Sequence, residues 1–196
     1  ETGIPIVIVA GSGAPLGSVQ PASVRASRLS EDMDELLDRP DGREIYEIWL
    51  RAARMRMLGE WRTGRETAGE PPAAGEFKEL VRRHVYGSAD ATPFGEATGL
   101  WRGALCALAA EALRRAGLQP VHWGSGGMAL NLLDDVTRLL ELRLRLEVRA
   151  GMEHGLAGEA VVLRVFHALS GSLEEQCGRV LASLARRLKQ ALAEWR

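Results

Sequence analysis

The chain has 196 residues, enough for one ordinary domain with its own core. Hydrophobic residues make up 46% and charged residues 26%, which excludes a disordered chain. The formal net charge of −1 gives no global field that would steer it toward nucleic acid or an anionic membrane.

Residues 4–10 (IPIVIVA) are β-branched and apolar, which predicts a short buried strand. Residues 11–21 are rich in Gly, Pro and Ser and read as a flexible segment. Residues 30–38 read as a short acidic helix with Ser30 as its N-cap, stopped by the turn Arg39-Pro40-Asp41-Gly42. Residues 43–62 form a strong helical pattern, with Ile45, Ile48, Trp49, Ala52, Met55 and Leu58 as one apolar stripe. A polar loop at 63–75, a helix at 76–86 and a second loop at 87–98 follow; both loops are candidate flexible segments. Residues 99–116 are a helix whose buried face is Trp101, Ala104, Leu105, Leu108 and Ala112.

Val121 to Leu133, around Gly124-Ser125-Gly126-Gly127, predicts a hairpin. Residues 139–149 (LLELRLRLEVR) alternate. Leu140, Leu142, Leu144, Leu146 and Val148 face one way; Glu141, Arg143, Arg145, Glu147 and Arg149 face the other. This predicts a strand, paired with a β-branched one at 159–168, although Leu, Arg and Glu also favour helix. Residues 172–195 read as an amphipathic helix. Ser172 and Glu175 match a capping box, and Leu173, Cys177, Val180, Leu181, Leu184, Leu188, Leu192 and Trp195 form its apolar face. The predicted fold is therefore α+β: a helix-rich single domain over 1–196, with a small antiparallel sheet at about 119–168 covered by the C-terminal helix. An all-α bundle is the alternative.

Of the 25 basic residues only Lys78 and Lys189 are lysines, and Asn131 is the one asparagine. Arginine suits bidentate recognition of phosphate or carboxylate, but a codon bias toward Arg, Ala and Gly is the favoured reading of the excess. Cys106 and Cys177 either pair as a disulfide in an oxidising compartment or sit as buried small hydrophobes. The opening Glu1-Thr2-Gly3 resembles the scar of a secretion vector. It predicts a secreted, lumenal or extracellular location, with a cytoplasmic one as the alternative. No apolar run reaches the roughly 20 residues that span a bilayer.

Known chemical motifs fail at the residue level. The loop Gly11-Ser12-Gly13-Ala14-Pro15-Leu16-Gly17 brings its third glycine one residue late for a dinucleotide fingerprint, leaving nucleotide binding there as a lesser alternative. Asp134-Asp135 lacks a third acid at Arg138, and Ser125 lacks the glycine frame of a nucleophile elbow. His84, His122, His154 and His167 are scattered, so no metal or cofactor is expected. Arg149 and His154 have the spacing of an Arg-x4-His ribonuclease motif but flank a predicted turn. The sequence reads as a non-catalytic binding or protein-interaction domain. Its partner would be another protein, the rest of a larger chain or an apolar ligand, and not nucleic acid. His122, Trp123, Arg149 and His154 are its candidate ligand-binding residues, with no catalytic residue assigned. The competing reading is an enzyme assembled only in the fold around His122, Arg149 and His154.

Overall fold

The computed structural model describes residues 6–9, 11, 15–19, 27–69, 71–86, 97–124, 130–153 and 159–195. Two strands, β1 (Ile6–Val9) and β2 (Pro15–Val19), pair antiparallel. Six helices follow: α1 (Arg28–Leu37), α2 (Gly42–Thr67), α3 (Ala74–Val81), α4 (Ala97–Arg115), α5 (Leu132–Glu153) and α6 (Glu159–Trp195). A π-helical turn, Arg82–Tyr86, continues α3, and a 3₁₀ turn, Pro120–Trp123, follows α4.

The body is a helical bundle, not the α+β arrangement expected from the sequence. The described residues of 119–168 form no sheet: residues 139–149 lie inside α5, and 159–168 form the first third of α6. The predicted hairpin at 121–133 is a 3₁₀ turn followed by the start of α5, with residues 125–129 outside those described. α5 is the central helix, packed against α2, α4 and α6. Leu132, Leu133, Val136, Leu139, Leu140, Leu142, Leu144, Leu146 and Val148 are each no more than 5% exposed. A helix covered on most sides has no single apolar stripe, so its leucines fall at odd and even positions alike. Asn131 caps it, its side-chain oxygen accepting from the Asp134 backbone N–H at 3.1 Å.

α6 is one helix of 37 residues, about 55 Å long at 1.5 Å per residue. Ser172 is therefore not a cap. It lies mid-helix and donates to the Leu169 carbonyl at 2.9 Å, as an interior Ser does. The buried face runs Leu173, Cys177, Val180, Leu181, Leu184, Leu188, Ala191 and Leu192. Trp195 does not belong to it; the residue is 59% exposed, and its ring lies beneath the Arg39 guanidinium at 4.5 Å. Arg39 also donates to the Ala191 carbonyl at 2.7 Å, tying the α1–α2 corner to the end of α6.

Smaller corrections follow the same logic. Ser27, not Ser30, caps α1, accepting from the Ser30 backbone N–H at 3.3 Å. On α2 the stripe is rotated from the expected one: Ile45, Trp49 and Leu58 are buried with Tyr46, Leu50, Ala53, Met57 and Trp61. Ile48 and Met55, at 44% and 43%, face outward, as does Ala52. α2 extends to Thr67 and α3 starts at Ala74, which shortens the expected loop at 63–75. Most of the expected flexible segment at 87–98 lies outside the described residues, while 11–21 contains β2. β1 is not the buried strand expected, because Ile6 and Ile8 are exposed.

Two backbone junctions fix the corners. A side chain on Gly42 would meet the Leu36 carbonyl at 1.9 Å, so α2 can begin there only with glycine. Gly117 ends α4 at φ +69°. There Gly117 N–H donates to the Arg114 carbonyl at 2.9 Å and Leu118 N–H to the Leu113 carbonyl at 3.1 Å, the paired bonds of a Schellman cap. Among the described residues no helix is long and apolar enough to cross a membrane.

Candidate functional site

Four arginines from three helices converge on one cavity of about 80 Å³. Arg54 comes from α2, Arg102 from α4, and Arg138 and Arg145 from α5; His84 of the π-helical turn, Glu141 and Leu142 complete the wall. The α5 contribution follows helix geometry. Positions 138, 141, 142 and 145 lie at steps of three and four, so they share one face. His84 reaches the cavity from a widened turn, a backbone feature that clusters at functional sites in proteins generally.

The charges are unevenly matched. Asp134 takes two guanidiniums, from Arg102 at 3.0 Å and Arg138 at 2.6 Å. Glu141, itself buried, takes Arg145 at 2.5 Å. Asp135 accepts a 2.8 Å bond from the Tyr46 hydroxyl. Burial raises the carboxyl pKa of Asp135, opposed by that hydrogen bond and by Arg54. Burial, reinforced by Asp135, also keeps the Tyr46 phenol protonated well above its ordinary range. Among the described residues Asp134, Asp135 and Glu141 are the carboxylates set against these guanidiniums, and Asp135 is weakened as an anion. Two donors are left over. Arg54 has no carboxylate within 4.0 Å among the described residues, and burial lowers its pKa. Arg102 Nε is buried with no hydrogen-bond acceptor among the described residues, and a Glu141 carboxylate oxygen lies 3.9 Å from it.

Guanidiniums keep their protons at any ordinary pH and accept no hydrogen bonds. Among the described residues the arrangement therefore offers donors that suit an anion.

The sequence-predicted site residues do not assemble here. His122 is buried where the 3₁₀ turn meets α1, its Nε2 3.2 Å from Ser30 Oγ and 3.5 Å from Asp34 Oδ1. Serine and aspartate approach the same nitrogen, while Nδ1 is buried without a partner. A hydrolytic relay needs the acid on the other nitrogen and an accessible hydroxyl, and Ser30 is fully buried. Trp123 is a core residue donating from Nε1 to the Leu118 carbonyl at 3.2 Å. Arg149 lies in α5, its side chain outside those described, and His154 is also outside. Gly124 abuts Asn131 at the start of α5, whereas Arg149 is about 25 Å further along the axis. His122 and Arg149 are therefore at opposite ends of α5. Of the glycine loop, Pro15, Leu16 and Gly17 lie in β2, and residues 12–14 are outside those described. Cys106 and Cys177 are buried free thiols, and burial pushes Cys177 up to about 12. No group of three His, Cys, Asp or Glu side chains is placed to hold a metal among the described residues.

Burial holds His122 below its ordinary value, partly offset by Asp34. The unfolded chain therefore takes up a proton that the folded chain refuses. This stabilising contribution is complete above about pH 6.5, the free imidazole value, and is lost as pH falls toward the depressed folded value. Thermal unfolding followed from about pH 8 to pH 5 should show that loss, and His122→Gln should flatten it. An unchanged slope in the variant would place the acid sensitivity elsewhere.

No family model matches the chain, and neither a curated protein nor a solved structure does.

Proposed function

We propose that the chain is a non-catalytic binding domain whose arginine cavity holds a small oxyanion, phosphate in particular. The observation that supports this reading is Arg54: a half-buried guanidinium on the cavity wall with no carboxylate within 4.0 Å among the described residues. A partly desolvated charge whose nearest influence, Asp135, is not in contact with it is costly to keep. An incoming anion removes that cost and also gives Arg102 Nε an acceptor. Phosphate suits the site because its charge of about −1.5 to −2 matches the local cationic excess, and arginine forks fit its oxygens. The ligand class thus differs from the apolar one expected from the sequence.

Calorimetric titration with inorganic phosphate tests the reading, with acetate as the carboxylate comparison. The intact chain is expected to bind phosphate, and Arg54→Ala to weaken that binding by about 10- to 100-fold, the range of one hydrogen bond to a charged group. In phosphate-free buffer the same variant should be about as stable as the parent, because the partly desolvated guanidinium it loses makes no contact ion pair among the described residues and only a longer-range one with Asp135. An intact chain that binds no phosphate, or an Arg54→Ala variant that binds it as well, removes the reading. Stronger binding of acetate would reassign the ligand to a carboxylate.

A further inference from the structure

We infer that the ligand is a phosphate monoester carrying a single aromatic ring, with its phosphate in the cavity and its ring on the neighbouring groove formed by Leu50, Val85 and Tyr86. This rests on the oxyanion reading above. The cavity, at about 80 Å³, accommodates a head group and little more. Beside it is a groove of about 270 Å³ lined by Glu47, Leu50, Arg51, Arg54, Val85 and Tyr86. Arg54 is the wall common to both. A ligand whose anion satisfies Arg54 therefore has its remaining atoms directed either to solvent or into this groove.

The groove has the chemistry of a ring site. Leu50 and Val85 are buried and give it an apolar floor. Tyr86 is 76% exposed, the largest value among the exposed large hydrophobic side chains described. An aromatic face left in water beside an apolar floor gains on being covered by another ring. The π-helical turn links the two halves of the site, since His84 lines the cavity and Val85 and Tyr86 line the groove. The space is adequate, because an enclosed cavity of about 150 Å³ is enough to hold benzene.

Titration of the intact chain with inorganic phosphate and with phenyl phosphate tests this directly. Phenyl phosphate is expected to bind about tenfold tighter than inorganic phosphate, the gain of one stacked ring. Tyr86→Ala should abolish that ratio and leave the affinity for inorganic phosphate unchanged. Because Tyr86 is exposed, the variant is expected to fold, and an unchanged phosphate affinity verifies that it has. Equal affinity for the two compounds in the intact chain, or a ratio that survives Tyr86→Ala, overturns the inference while the oxyanion reading stands. Absence of binding by either compound overturns both.

Discussion

Replacing Leu139 with Ala is expected to lower the free energy of unfolding by about 2–5 kcal/mol, the range for emptying a buried leucine site. Leu139 is 1% exposed and Leu144 is fully buried, both on α5. The choice of position separates two architectures. In an alternating strand Leu139 would share the wet face with Glu141, Arg143 and Arg145, and trimming it would change little. In a central helix 139 and 144 lie on different faces, and both are covered by neighbouring helices. Urea unfolding of Leu139→Ala and Leu144→Ala should therefore show comparable, large losses with unchanged denaturant slopes. A cost below about 1 kcal/mol at Leu139 alone would contradict the central position of α5.

The helices legible in the sequence are those with a water face. The last part of α6 keeps Leu173, Cys177, Val180, Leu181, Leu184, Leu188 and Leu192 buried and its charges outside, so steps of three and four are visible. α4 is likewise recognisable from Trp101 and Leu105. α5 is not, because neighbours on most sides remove the contrast between faces, and the leucines at 140, 142, 144 and 146 then imitate a strand. A better signal was present in the charges. Asp134–Arg138, Glu141–Arg145 and Arg143–Glu147 are all four apart, and all three form ion pairs. Asn131 followed by Asp134 and Asp135 is also a helix-start signature, with a side-chain cap and acids in the first turn. The β-branched run at 159–168 has no strand to pair with and instead continues as the first part of α6.

The site was less legible than the fold. Its residues come from α2, the π-helical turn, α4 and α5, at positions 54, 84, 102 and 138–145, and no local motif spans them. The excess of arginine was visible, but composition alone cannot say which guanidiniums end up sharing too few carboxylates. That imbalance is a property of packing. Arg82 and Glu79 pair on the surface and hold the Glu79 carboxyl at about 2 without forming a site, whereas Arg54 has no contact ion pair among the described residues and feels Asp135 only at longer range.

Removing Glu141 should expose that imbalance most strongly. Its carboxylate is the internal anion of the cavity, 8% exposed, bonded to Arg145 and 3.9 Å from Arg102 Nε. Glu141→Ala leaves those guanidiniums without it. Breaking a buried pair in this way costs about 3–5 kcal/mol, and the loss should appear in urea unfolding in phosphate-free buffer. If the cavity binds phosphate, added phosphate takes the place of the missing carboxylate and restores part of the loss. A ligand at 100 times its dissociation constant returns about 2.7 kcal/mol. The parent chain should gain less at the same phosphate concentration, because Glu141 competes for Arg145. A loss below about 1 kcal/mol would mean that solvent screens the network as it does a surface ion pair. A full loss without phosphate rescue would mean that the arginines hold the bundle together through Glu141 and are closed to external anions.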